Sequence, residues 1–274
     1  MLVLKKILDF YIFSNIHVAI SGFCITKITL IKFNVLNTLI PLFVAFSILA
    51  SYNFIRFYEV KAKRLGWFKS WFLKNKIGML IIFAISVCAL VYITFFSFFN
   101  LKSLIILFPF AIMTMFYVIP FFKTKSTEIS FRYFPAVKIF SIAIAWAGIS
   151  VLFPLAEAEI KFDSIIYLEF FQRILILIAI TIPFDIRDVN SDFKSLKTLP
   201  QLFGVKNVKI LGTGLLVLFI IFGLWNNFFL KTDVLIAIIT GILLWFSSES
   251  KNRYYTSFWV ESIPIIWLTL ILIV

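Results

Sequence analysis

The sequence predicts an all-α integral membrane protein, a single polytopic bundle of about nine transmembrane helices, and three observations carry that expectation. Apolar residues make up 62% of the chain and charged residues 14%, with a mean hydropathy of +1.05, whereas a soluble domain is about half apolar and a quarter charged. The apolar residues fall in repeated runs of roughly 18 to 24, each long enough to cross a hydrocarbon core of about 30 Å as a helix. The basic residues gather in alternate connections between these runs. None of the runs alternates as a barrel strand does, and backbone groups in hydrocarbon must be satisfied internally, so the runs are read as helices. A bundle of this size uses all 274 residues, leaving no separate soluble domain in 1–274.

Met1 to Lys6 followed by an apolar run has the charge pattern of a signal peptide. Asn15 and His17 interrupt that run and no small-residue cleavage site follows, so it is read as a retained first helix near 8–29. Further spans are expected near 34–55, 77–98, 103–122, 134–155, 164–184, 207–229, 233–248 and 257–274. With the N-terminus, Lys5 and Lys6 in the cytoplasm, the next inside loop carries Arg56, Lys61, Lys63, Arg64, Lys69, Lys74 and Lys76. Later inside loops hold Lys123, Lys125 and Arg132, then Arg187, Lys194, Lys197 and Lys206, then Lys251 and Arg253. The outside loops are short, with Lys32, Lys102, Lys161 and Lys231, and one is acidic through Glu157, Glu159 and Asp163. This is the positive-inside pattern. The expected location is the plasma (inner) membrane of a bacterium, with membrane lipid as the surrounding partner. A net charge of +13 could suggest nucleic acid, but charges confined to short loops report topology, and no nucleic-acid partner is expected. Cys24 and Cys88 lie in apolar segments and read as small hydrophobes.

Two inside loops, near 56–76 and 185–206, are longer than the others. The second begins with Asp185-Ile-Arg-Asp188-Val-Asn-Ser-Asp192, which places three carboxylates at i, i+3 and i+7 where a membrane helix ends. At about 100° per residue these fall within an arc of roughly 60° if the helix continues. Three like charges on one face repel, and Mg²⁺ commonly bridges such carboxylates to phosphate oxygens. Lys194 and Lys197 follow and could offset phosphate charge. A solvated acidic face balanced by basic neighbours is equally compatible with the spacing alone.

The longer string continues Phe-Lys-Ser-Leu-Lys197-Thr198-Leu199-Pro200-Gln-Leu-Phe-Gly204. Residues 185–204 resemble the second aspartate-rich motif of the UbiA family of intramembrane prenyltransferases, an Asp-x-x-Asp-x-x-x-Asp run leading into Lys-Thr-Leu-Pro and a later Gly. Span count, orientation and position after the sixth helix are also similar to that family. The resemblance implies a UbiA-prenyltransferase-like bundle transferring an isoprenyl group from an isoprenoid diphosphate to an aromatic or other lipid-soluble acceptor. It implies Mg²⁺ as cofactor, held by Asp185, Asp188 and Asp192, with metal and cationic groups stabilising the leaving diphosphate. The family's first motif, Asn-Asp-x-x-Asp-x-x-x-Asp, corresponds here to Asn53-Phe54-Ile55-Arg56-Phe57-Tyr58-Glu59-Val60-Lys61. Asn53 fits, while Phe54, Phe57 and Lys61 stand at the three aspartate positions. Asp188, Arg56 and Lys197 are therefore the expected catalytic groups, and Asn53, Arg56, Glu59, Lys61, Lys123 and Lys194 the expected diphosphate-binding ones. Lys123 follows Tyr117 at the inner end of the fourth span, six residues on, where the family has a Tyr and a Lys closer together. Loss of the first motif's aspartates leaves a second expectation, an inactive descendant that binds or moves an isoprenoid lipid. A small-molecule transporter, with charges near the midplane and interrupted helices, ranks last.

Three polar features lie inside the spans. Glu169 and Arg173, four apart, are expected to form a structural ion pair ahead of an acceptor-binding role. Glu261 is expected to snorkel or line the cavity. His17, beside Ser14 and Asn15, is expected to hydrogen-bond between helices.

Overall fold

The computed structural model describes residues 2–61, 67–97, 99–118, 122–123, 128–129, 137–190, 197–226 and 228–273, which are predominantly helical. A two-residue antiparallel bridge pairs Phe122 with Ile129 and Lys123 with Glu128. Six helical stretches are long and apolar enough to cross a membrane: Leu39–Val60, Lys76–Phe96, Lys138–Glu157, Ser164–Asp188, Val205–Asn226 and Tyr255–Ile273. A bent pair, Val3–Phe13 with Ile16–Lys32, makes a seventh. The expected runs near 103–122 and 233–248 fall instead on two helices below that length, α6 (Leu101–Val118, described as apolar over Leu101–Phe116) and α12 (Leu230–Trp245).

The first span is α1 (Leu2–Phe13) and α2 (Ile16–Lys32), which meet at 54°. The break falls at Ser14 and Asn15, where Asn15 takes a left-handed φ of 68°, a conformation its short polar side chain tolerates better than most. Next come α3 (Leu39–Lys61), the short α4 (Trp67–Lys74) and α5 (Lys76–Ser97). The span after α6 is composite: α7 (Val137–Ala147), a π-helical turn Gly148–Leu152, and α8 (Phe153–Glu157), which opens with Pro154. The longest helix, α9 (Ser164–Asp188), starts at Asp163, whose carboxylate accepts from the Ile166 N–H at 3.0 Å, satisfying one of the free donors of the first turn. A short α10 (Leu199–Phe203), α11 (Val205–Asn226) and α12 lead to a π-helical turn Tyr255–Val260 and α13 (Ile263–Ile273).

α9 sits against α7, α11 and α12 at the centre. Its apolar side packs Ile176 and Ala179 with Cys24, Ile28, Phe219, Ile236, Val260 and Trp267 of the neighbouring helices. α5 is peripheral, presenting Ile77, Ile81, Ile85 and Phe95 outward at 53–75% exposure, as befits a surface facing lipid tails. Lipid is as apolar as a side-chain core, so the bundle relies on close packing and polar contacts.

Those polar contacts collect at two poles. At one, Lys32 closing α2, Glu169 and Gln172 opening α9, Asn226 closing α11 and Asp233 opening α12 meet. At the other, Asn15 meets Asn53 of α3, Arg187 closing α9 meets Thr256, and Lys209 opening α11 meets the end of α12 at Trp245 and Ser247. Ends of successive long helices thus alternate between the poles.

Candidate functional site

The second pole holds the residues singled out from sequence. α3 carries a polar stripe, Asn53, Arg56 and Glu59, at three-residue spacing, with Arg56 the exposed member at 35% of its side chain. Asn53 and Glu59 are buried, and Arg56 donates to Glu59 Oε2 at 3.2 Å while lying over the Phe68 ring at 4.8 Å. The flanking positions, where the resembled motif carries aspartates, point elsewhere. Phe57 packs edge-on against Phe72 and Phe83 of α4 and α5, at 5.0 and 6.0 Å between ring centres, and Phe54 is 45% exposed. Phe57 therefore packs on an aromatic face and Phe54 on an outward one, apart from the Asn53, Arg56 and Glu59 stripe. Lys61 closes α3.

The last turns of α9 supply Asp185, Arg187 and Asp188. Asp185 is buried and pairs with Lys138 of α7 at 2.8 Å. Asp188 accepts a two-pronged bond from Arg187, Nε to Oδ1 at 2.8 Å and Nη2 to Oδ2 at 2.7 Å, a geometry stronger than a single contact. Arg187 spends its remaining arm on Thr256 Oγ1 at 2.6 Å. Asp185 and Asp188 end α9 as expected, each engaged by its own basic partner, and Asp192 and Lys194 lie outside the described residues. Lys197 is exposed, with a left-handed φ of 44°, directly before Thr198, whose N–H donates to Gln201 Oε1 at 3.1 Å as α10 begins. Lys123 lies in the short antiparallel bridge.

Glu261 joins the two stripes. It is half-buried, and both Arg56 from α3 and Arg187 from α9 act on it electrostatically. Arg253 lies within similar reach of Arg187 and Asp188. Next to it, burial and the Asp9 carboxylate, which accepts a bond from the phenol, push Tyr254 up to about 12, so that it stays a neutral donor. Guanidinium groups from three segments thus surround carboxylates from three segments at one pole. Chemically this is an ion-pair field in which an incoming anion competes with the carboxylates for the arginines, and a carboxylate that gives up its arginine must find another cation or take a proton.

A divalent cation fits the described donors less well. Among the described residues no three His, Cys, Asp or Glu side chains converge on a metal position. Mg²⁺ at Asp185 or Asp188 would have to displace Lys138 or Arg187, and the described carboxylates therefore do not form a ready metal site.

Sequence reading missed several partners. Lys138, within an expected span, and Arg253, expected as a topology charge, both belong to the pole. Glu169 and Arg173 do pair, at 2.7 Å, but as part of a larger buried group at the opposite pole. Lys32 lies 3.0 Å from Glu169 and 3.8 Å from Asp233. Asp233 accepts from Gln172 at 3.1 Å and from Trp267 at 3.2 Å. From sequence, Lys32 falls in an outside loop and Asp233 at the edge of a span. Ionisable residues within or at the ends of apolar runs were the available signal. His17 behaves as expected, bonding Tyr11 at 2.8 Å, the Phe258 carbonyl at 3.1 Å and Ser262 at 3.1 Å.

No protein-family model, curated protein or solved structure matches the chain.

Proposed function

We propose that the chain is a UbiA-like intramembrane prenyltransferase working at the cytoplasmic pole. The observation that carries this reading is the acidic run from Asp185 leading into Lys197-Thr198-Leu199-Pro200, at the same pole as Asn53, Arg56 and Glu59. In the reaction the allylic carbon–oxygen bond breaks, the diphosphate leaves with the electron pair, and a nucleophilic atom of the lipophilic acceptor bonds that carbon and loses a proton. The leaving charge is met by Arg56 and Arg187, which already face a shared carboxylate, with Lys61, Lys123, Lys194 and Lys197 on the adjoining connections. The apolar bundle excludes water from the allylic cation. Counting α6 and α12 with the seven longer spans yields nine crossings and keeps the acidic pole and Lys5 on one side.

Two arrangements of charge compete, basic side chains alone or Mg²⁺ on Asp185, Asp188 and Asp192, and one variant separates them. Purified protein is titrated with isoprenyl diphosphates of several lengths, with and without Mg²⁺. At least one binds. Asp188→Ala weakens Mg²⁺-dependent binding if the metal bridges, and strengthens metal-free binding if it releases Arg187. Failure of every diphosphate to bind, or indifference of binding to Asp188→Ala, would sink the proposal. The pairing of each described acid favours a second reading, a descendant that binds isoprenoid lipid without transfer; diphosphate release with a crude lipid extract as acceptor counts against it.

A further inference from the structure

The short helix α4 has two unlike sides, and the bundle occupies one of them. Phe68, Trp71 and Phe72, at i, i+3 and i+4, turn toward the bundle. Phe68 and Phe72 are buried with Met79. Trp71 meets Phe10 and Phe13 of α1 with ring centres 6.3 and 5.6 Å apart, and the Phe68 ring lies 4.8 Å from the Arg56 guanidinium. The other side carries Lys69, Ser70, Leu73 and Lys74, with Leu73 54% exposed. Asn75 joins α4 to α5, its N–H donating to the Trp71 carbonyl at 3.2 Å and its carbonyl accepting from the Met79 N–H at 3.0 Å. Lys74 and Lys76 therefore stand at the head of the apolar column, Ile77, Leu80 and Ile81, by which α5 faces lipid.

The lysines there have no counter-charge. Asp9 and Glu59 are the only acids before Glu128 in the sequence, and both are engaged, Asp9 by the Tyr254 phenol and Glu59 by Arg56. Among the described residues Lys69, Lys74 and Lys76 make no ion pair or side-chain hydrogen bond, whereas Arg56, Lys138 and Arg187 at the same pole each do. α5 also opens with no acid in its first turn, so its dipole adds positive potential where the lysines gather. We propose that the outer side of α4 and the head of α5 form a docking surface for anionic phospholipid in the leaflet at this pole. The headgroup phosphate sits on Lys69, Lys74 and Lys76, and the acyl chains lie along Leu73, Ile77 and Ile81. A soluble anion would meet the charge but leave the apolar column unmatched. A phospholipid meets both, because lysine stems run along apolar surface and lift their ammonium groups to headgroup level. Lipid bound there holds α4 against α1 and, through Phe68, against Arg56.

The test reads lipid contact beside the lysines. Leu73→Cys, in a background carrying Cys24→Ala and Cys88→Ala, is labelled with a bimane fluorophore, and the protein is reconstituted in phosphatidylcholine vesicles. Phosphatidylglycerol with a nitroxide on its acyl chain quenches the fluorophore at lower mole fraction than phosphatidylcholine with the same label. The preference is at least about tenfold, since each lysine near the headgroups contributes about fivefold. Lys69→Gln, Lys74→Gln and Lys76→Gln together bring the two lipids to parity. Lys206→Gln, an exposed lysine of α11 at the same pole, leaves the preference in place and controls for net charge. Equal quenching by the two lipids in the parent overturns the proposal without recourse to any lysine variant, as does a preference that survives the triple substitution. Full relief of quenching by soluble glycerol 3-phosphate also overturns it, because the surface would then be a site for free anions. No isoprenoid diphosphate is present, so the result is independent of the transferase test.

Discussion

Lys32, Glu169, Arg173 and Asp233 make the residue scale unusual, since all four side chains are at most 2% exposed. Two positive and two negative charges cancel. Arg173 also donates to the Ile25 carbonyl at 2.6 Å and to Thr29 at 3.1 Å, and both cations lie over the Trp267 ring, at 5.0 and 5.2 Å. Desolvating such a group is expensive, so a charge left without its counterpart costs more than the intact group contributes. Glu169→Gln leaves one surplus positive charge inside the bundle and lowers stability by about 3–5 kcal/mol. Adding Lys32→Met restores neutrality and recovers part of the loss. The thermal midpoints of the two variants in detergent check this: a single variant as stable as the parent, or a double variant weaker than the sum of its singles, contradicts the account.

Close approach of helices decides the element scale, and two glycines show both signs of the effect. A Cβ on Gly148, at the π-helical turn between α7 and α8, would sit 2.3–2.4 Å from three atoms of the Phe110 ring on α6. A rigid ring cannot yield locally, so Gly148→Ala pushes α6 away and lowers the melting temperature. Gly214, inside α11, has nothing within 4 Å of its would-be Cβ. There Ala gains helix propensity of about 1 kcal/mol without a clash, and the melting temperature rises. A lower midpoint for Gly214→Ala than for Gly148→Ala would refute the packing argument. The two positions also mark what the sequence could and could not tell. Long apolar runs such as α5 and α9 are legible because length and hydropathy suffice to read them. The bend at Asn15 and the π-helical turns depend on partners distant in sequence, such as Asn53 for Asn15 and Phe110 for Gly148. The α3 stripe was half legible. The resembled motif's aspartate positions fall on 54, 57 and 61, whereas the buried polar positions are Asn53 and Glu59, with Arg56 between them and paired to Glu59. Lys138 was missed because a lysine in the first turn of a span looks like a topology charge until its partner, Asp185, is seen.

The two-pole layout of the whole molecule makes a statement about sidedness that sequence alone had made from basic residues. Lys32, Glu169, Asn226 and Asp233 share one pole, and Asn15, Asn53, Arg187, Thr256 and Lys209 share the other, so an assignment for any one residue fixes them all. Lys5, Lys6, Lys206, Lys251 and Arg253 flank the second pole and the connection from Glu157 to Asp163 flanks the first, so the positive-inside rule predicts a cytoplasmic second pole. Cysteine labelling can decide this with the native thiols accounted for, Cys24 being buried and Cys88 on the outward face of α5. In a background with both replaced by Ala, Lys161→Cys and Lys197→Cys are each treated with a membrane-impermeant maleimide in intact bacterial cells. Lys161→Cys labels at once, and Lys197→Cys labels only after permeabilisation. The reverse pattern would place the arginine-rich pole outside, away from any cytoplasmic pool of isoprenoid diphosphate, and would remove the proposed reaction together with the topology. Labelling of both positions in intact cells would mean that 161 and 197 are on one side, which the alternation of helix ends between the poles forbids.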